Sequence, residues 1–159
     1  MNGDFMKKLV IMSDNHGDDA MLSKIRKLEP DADYYIHCGD SETFDFQLLN
    51  EFYAVKGNND WHLNLPSQLS LDVEGYKIIV THGQYFGYFN REYAMNDFLT
   101  QNNGQILLCG HTHMPMYIKD EDFYYINPGS TTFPRGGSDR SYGILLLDKE
   151  KIKFILKKL

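Results

Sequence analysis

The segment Lys8-Leu9-Val10-Ile11-Met12-Ser13-Asp14-Asn15-His16-Gly17 sets the reading of this chain. Four successive apolar residues, Leu9 to Met12, give way abruptly to polar ones, the pattern of a short strand covered on both faces. Asp18 and Asp19 then offer a helix cap. Met21, Leu22, Ile25 and Leu28 follow at helical spacing, and Pro30 ends the helix. Asp33 to Cys38 reads as a second strand, Phe44 to Phe52 as a short helix and Tyr53 to Lys56 as a third strand. Such alternation of strand and helix is the mark of a parallel sheet.

Downstream the pattern turns to strands. Leu69 to Val73 and Lys77 to Thr81 flank Glu74-Gly75-Tyr76, which predicts a hairpin. Asn90 to Gln101 reads as a helix before the strand Gln105 to Cys109. Met116 to Lys119 is expected to pair with Phe123 to Ile126 across Asp120-Glu121-Asp122. Tyr142 to Leu147 is expected to pair with Lys151 to Leu156 across Asp148-Lys149-Glu150. Strands outnumber helices, so the expected fold is α/β, with two packed mixed β-sheets flanked by helices.

The chain of 159 residues has no low-complexity segment, repeat or linker, and reads as one domain over 1–159. Met6-Lys7-Lys8 looks like a natural opening, so residues 1–5 are expected to be an unordered extension or an expression remnant. The formal net charge of -6 counts against a phosphate backbone as partner. No apolar run approaches a membrane span or a leader. Two cysteines, Cys38 and Cys109, each end an apolar run and read as buried thiols of a reducing, cytoplasmic setting.

Five polar motifs each follow a predicted strand: Asp14-Asn15-His16-Gly17, Gly39-Asp40, Gly57-Asn58-Asn59-Asp60, His82-Gly83 and Gly110-His111-Thr112-His113. In α/β folds ligands sit outside the carboxyl ends of the strands, so the motifs can converge. Four of the six histidines lie in them. Imidazole, carboxylate and a side-chain amide oxygen form a donor set for manganese, iron or zinc, whereas magnesium alone favours more oxygen. Taken singly, Gly-Asp is an ordinary turn and His-x-His a common accident. The joint pattern is what points to metal.

In this order the motifs resemble the calcineurin-like metallophosphoesterase superfamily. The small size and Asn127-Pro128-Gly129-Ser130 are similar to its compact YfcE-like phosphodiesterase subgroup. The resemblance runs from about Leu9 to Tyr142 and implies a four-layer α-β-β-α sandwich. It implies two divalent ions, manganese first, with iron, zinc, nickel or magnesium as alternatives. Asp14, His16 and His113 would bind one ion, Asn58, His82 and His111 the other, and Asp40 would bridge both. The activity so implied is hydrolysis of a small phosphodiester by a metal-bridging hydroxide. Asp40, Asn58, His82, Asn15 and Asn59 are the expected catalytic residues. Asn15, Asn59 and Arg135 are expected to contact the phosphate.

One position departs from the pattern. Many members carry His directly after the metal-binding Asn, where it protonates the leaving group, and this chain has Asn59. An amide is no acid at neutral pH, so aryl esters with good leaving groups are the expected substrates. His62 is the nearby alternative, and a solvent-facing loop His is its plainer reading. His37 reads as a core residue or a support for the ligands. Trp61, Tyr85, Phe86, Tyr88 and Phe89 flank two motifs and suit a pocket wall, core packing or a contact between copies of the chain. A retromer-subunit-like, non-catalytic scaffold of the same fold is the competing function, and loss of metal ligands would favour it. A nuclease lacks support, with no basic stripe on the chain.

Overall fold

The computed structural model describes residues 6–159; Met1 to Phe5, read above as an extension, lie outside the described residues. The elements run β1 (Lys7–Met12), α1 (Asp19–Leu28), β2 (Tyr34–His37), α2 (Phe46–Leu49), β3 (Tyr53–Ala54), β4 (Gln68–Val73), β5 (Tyr76–Thr81), α3 (Arg91–Gln101), β6 (Ile106–Leu108), β7 (Met116–Asp120), β8 (Phe123–Asn127), β9 (Ser141–Leu147) and β10 (Ile152–Lys158). One sheet has the order β10-β9-β1-β2-β3 and the other β4-β5-β6-β8-β7. β1, β2 and β3 are parallel, as are β5, β6 and β8; the remaining pairings are antiparallel.

The alternation along β1 shows why its apolar run is continuous. Leu9 and Ile11 point between the sheets, where they meet Ile36, Val80, Ile106, Leu108 and Leu145. Val10 and Met12 point the other way, onto Leu22 and Ile25 of α1, Leu49 of α2 and Ile144. Across the second sheet, Ile79, Leu107 and Tyr125 face Met95 and Leu99 of α3. Both sheets are therefore covered on both faces along their central strands, the condition that favours near-continuous Val, Ile and Leu. Each fully buried Leu or Ile contributes about 1.5–3 kcal/mol. Three apolar layers separate the four layers of the expected sandwich.

The turns follow local chemistry. β4 and β5 are joined by Glu74 and Gly75, at φ 52° and 86°, a two-residue loop whose left-handed residues match the twist of the strands. Asp148 Oδ1 accepts from the backbone N–H of Glu150 and Lys151 and shapes the turn between β9 and β10.

Several expected boundaries contract. The helix read as Phe44 to Phe52 is a single turn, Phe46–Leu49, because the Asp45 side chain caps it late by accepting from Leu48 N–H. The third strand stops at Ala54, since Lys56 donates its N–H to the Pro66 carbonyl and the chain leaves the sheet. Asp18 stands at the start of α1 without a side-chain capping bond, and Asp19 instead accepts from the Thr43 hydroxyl.

Candidate metal centre

The five polar motifs leave the carboxyl ends of β1, β2, β3, β5 and β6, from both sheets. Cross-bonds between the loops draw them together. Asp14 N–H reaches Gly39 O, His16 N–H reaches Asp40 O, and Gly110 N–H reaches His82 O, at 3.0, 3.1 and 3.0 Å. Asp14, His16, Asp40, His111 and His113 all have left-handed backbones, with φ of 57°, 45°, 57°, 73° and 61°. Non-glycine residues so held cost about 1–3 kcal/mol each and cluster where function requires them. Asp and His tolerate this region better than branched residues do.

Three histidines are fixed by a bond on the far nitrogen. His82 Nδ1 faces the Cys38 carbonyl at 2.8 Å, His113 Nδ1 the Phe133 carbonyl at 2.7 Å, and His16 Nδ1 the Glu42 carboxylate at 3.0 Å. Each acceptor draws the ring proton to Nδ1 and leaves the Nε2 lone pair facing the site, the arrangement seen in metal-binding histidines. The Nε2 atoms of His16 and His113 then stand 3.1 Å apart, two lone pairs face to face unless a proton or a cation lies between them.

The carboxylates complete the cluster. Asp14 Oδ2 accepts from the Ser13 hydroxyl and from His111 N–H at 2.6 and 3.0 Å. Its other oxygen, Oδ1, is buried without a hydrogen-bond partner, and so is His82 Nε2. Asp14 Oδ1 lies 3.2 Å from His113 Nε2, 3.7 Å from His16 Nε2 and 3.8 Å from His82 Nε2. His82 Nε2 is 3.3 Å from Asp40 Oδ2, and His111 Nδ1 is 3.1 Å from Asn58 Oδ1. Two donors on one first-row ion at about 2.1 Å stand about 3.0–3.4 Å apart. The 3.2 Å from Asp14 Oδ1 to His113 Nε2 and the 3.3 Å from His82 Nε2 to Asp40 Oδ2 match that spacing, and the two buried atoms without partners, Asp14 Oδ1 and His82 Nε2, suit divalent ions.

Among the described residues two trios of carboxylate and imidazole donors result: Asp14, His16 and His113, and Asp14, Asp40 and His82. Asp14 is common to both, whereas Asp40 enters the second alone. Asp40 Oδ1 accepts Asn59 N–H and its Oδ2 accepts Asn59 Nδ2–H, at 2.8 and 2.9 Å.

Charge follows geometry. Burial alone would raise the pKa of Asp40, but the His82 ring and the two Asn59 N–H groups outweigh it and hold the carboxyl well below its usual range. Burial opposes ionisation of Asp14 as well, and His113, His82 and the Ser13 hydroxyl reverse the effect. Burial likewise opposes charge on His82, yet Asp40 and Asp14 raise its pKa. The Asp14 carboxylate raises that of His113, against burial. A metal cation would therefore compete with protons for the same nitrogens.

The other expected site residues border this cluster in different ways. Asn15 is fully buried and its oxygen accepts from His37 Nε2 at 2.7 Å, so it is packed behind the donors, out of contact with solvent. Its Nδ2 has no partner. Asn59 is exposed but turns its amide onto Asp40. Arg135 is exposed, and its backbone N–H bonds the His113 carbonyl. His37 accepts from Gly39 N–H through Nδ1, and burial lowers its pKa to about 4. His62 is half-buried; Nε2 meets the Thr43 carbonyl at 2.8 Å and the ring stacks on Phe44 at 4.3 Å. Phe86 is buried core, while Trp61, Tyr85, Tyr88 and Phe89 are exposed.

Sequence reasoning missed the supports. Buried Asp60 accepts from Asp40 N–H and Gly57 N–H through Oδ2, and from Glu42 N–H through Oδ1. Its place in Gly57-Asn58-Asn59-Asp60 was the available signal. Asn127 donates to the Gly110 carbonyl, and the Ser130 hydroxyl donates to the Asp14 carbonyl. Arg91 ties the His82 loop to α3 by donating to the Gly83 and Gly87 carbonyls. Nothing local to Arg91 in the sequence announces this.

Residues 6–150 match the calcineurin-like phosphoesterase superfamily domain. Among curated relatives, the Bacillus subtilis (strain 168) protein named "Probable metallophosphoesterase YsnB" is 36% identical over 146 residues, covering 89% of this chain and 85% of that one. Phosphodiesterase YfcE of Escherichia coli K12 is 26% identical, with 88% of each chain covered. Among solved structures, a "predicted phosphoesterase" of Streptococcus pneumoniae TIGR4 superposes with a TM-score of 0.88 at 29% identity, covering 96% of this chain and 90% of that one. Vacuolar Protein Sorting 29 of Cryptosporidium parvum shares the fold, with a TM-score of 0.81 at 19% identity and coverage of 98% and 93%.

Proposed function

The chain belongs to the calcineurin-like phosphoesterase superfamily, and from that premise we propose that it is a two-metal phosphodiesterase acting on a small phosphorylated molecule. The observation that carries the reading is the pair of donor trios joined at Asp14, with Asp14 Oδ1 and His82 Nε2 buried and unpartnered. Asp14, His16 and His113 would hold one ion. Asp40 and His82, with Asn58 and His111 beside them, would hold the other. Manganese suits this mixture of nitrogen and oxygen donors, with iron, zinc, nickel and magnesium as alternatives. Ions held there would acidify water and offset the charge that grows on a phosphate.

The chain's own residues fix the rest. Glu42, Cys38 O and Phe133 O aim three imidazoles by holding their Nδ1–H groups. Asn59 orients Asp40 through two N–H groups and leaves no acid at its position. His62, engaged with the Thr43 carbonyl, is not poised to serve as one. Arg135, whose backbone N–H bonds the His113 carbonyl, is the guanidinium expected to contact a bound phosphate. Without a protein acid, esters with good leaving groups are favoured.

The test is to strip metal with a chelator, restore manganese, and assay an aryl phosphodiester and an aryl phosphomonoester with wild type, Asp40→Asn and His82→Ala. Metal-dependent diester hydrolysis, nearly abolished in both variants, is the expected result. Activity indifferent to chelation or to both substitutions would sink the two-metal mechanism. Metal binding without turnover of either ester would move the reading to a non-catalytic scaffold.

A further inference from the structure

We propose that the cleft beside Asn58 seats a planar aromatic group of nucleobase size carried on the phosphoester, with Trp61 and Tyr85 as its stacking walls; this rests on the phosphoesterase reading and names its substrate class. The cleft holds about 400 Å³ and is lined by Lys56, Gly57, Asn58, Trp61, Ser67, Gln84 and Tyr85. That is the lower part of the usual range for small-molecule sites. It opens between the loop after β3 and the loop after β5, one from each sheet.

Position links it to the metal centre. Asn58 lines the cleft, and its Oδ1 stands 3.1 Å from His111 Nδ1, so one side chain borders both. A phosphate at the donor cluster would therefore direct one ester substituent into this cleft. Tyr88 stands by the donor cluster, its ring tilted 6.0 Å from that of His111.

The walls have the chemistry of a stacking site. Trp61 is 81% exposed and Tyr85 92% exposed, so both present ring surface that the fold does not cover. Trp61 is set against His62, edge to face at 5.4 Å, which orients its ring without burying it. Aromatic faces accept any flat heterocycle, and a base stacked on one gains in proportion to its π surface. Lys56 supplies a cation suited to a phosphorylated ligand. Ser67 and Gln84 supply donors and acceptors to the lining. A concave cleft with a cation and polar groups among its aromatics suits a small charged ring compound better than the flat apolar face of another protein.

The sequence contains a single tryptophan, so Trp61 reports on its own cleft. The manganese-loaded protein is titrated with adenosine monophosphate and with glycerol phosphate, which carries phosphate but no ring. Adenosine monophosphate should quench Trp61 emission saturably and bind more tightly than glycerol phosphate. Tyr85→Ala should weaken it about 10–100-fold, the range for one lost stack, with glycerol phosphate unchanged and Tyr85→Phe close to wild type. Equal affinity for the two ligands, or equal loss of both in Tyr85→Ala, would overturn the assignment. Quenching that follows protein concentration instead of nucleotide would give the cleft to a second copy and also overturn it. Diester hydrolysis that persists without nucleotide preference refutes the cleft alone. Saturable quenching in a protein without hydrolysis refutes the catalytic reading alone.

Discussion

Replacing Gly57 with alanine would place a methyl carbon 2.1 Å from Asp40 Oδ1 and 2.3 Å from Asp40 N, where ordinary contact begins at 3.4 Å. The obstacle is rigid. Asp40 N–H is bonded to Asp60, and the Asp40 carboxylate is bonded to Asn59 at both oxygens. Gly57 N–H is itself held by Asp60. The two loops must therefore separate by about 1 Å or more, and such overpacking costs about 1–3 kcal/mol. Gly57 is not among the left-handed glycines, so backbone conformation adds no penalty and the effect is contact alone. Misplacing a reacting group by about 1 Å costs about 10²-fold in rate. Gly57→Ala is thus expected to stay folded with a lowered urea midpoint. Its manganese-dependent hydrolysis of an aryl phosphodiester should fall about 100-fold, and manganese should bind more weakly by calorimetry. Wild-type turnover and wild-type metal affinity in this variant would refute the claim that Asp40 must sit where the structure has it.

Two further outcomes follow from named contacts. Glu42→Ala frees the His16 ring, whose Nδ1 is 3.0 Å from the Glu42 carboxylate; manganese affinity measured on chelator-stripped protein should fall about 10–100-fold, and an unchanged value would remove Glu42 from the site's support. His37, buried and neutral, has its pKa lowered from 6.5 to about 4. Below pH 6.5 the unfolded chain takes up a proton that the folded chain refuses, so its stabilisation is complete above 6.5 and is lost as pH falls toward 4, up to about 3 kcal/mol. Urea unfolding of metal-free protein at pH 7 and pH 5 should show this slope, and His37→Gln should flatten it; equal slopes in both proteins would refute the assignment.

The sheets were legible because each central strand is covered on both sides, and an unbroken run such as Leu9 to Met12 has no other comfortable place. The donors were legible because their motifs each close such a run. The order of strands within a sheet was not, since pairing partners such as β1 and β9 share no signal that one chain displays. Lengths failed where a single contact decides them, as with the Asp45 cap and the bond from Lys56 to Pro66. Asn15 was read as a phosphate contact because it lies between two donors, yet its neighbours' left-handed backbones turn it inward to His37. Conformation at single residues of this kind depends on distant loops. The tie from Ser130 to Asp14 spans 116 residues.

The meeting of His16 and His113, 97 residues apart and following strands of different sheets, has a consequence for how the molecule comes apart. An ion held between them is a reversible clasp on a very long loop. A permanent cross-link over about 100 residues restricts the unfolded chain by about 4–5 kcal/mol, and a clasp contributes a share set by how much free ion surrounds it. With such an ion bound, resistance to unfolding would become a gauge of the metal in the protein's surroundings.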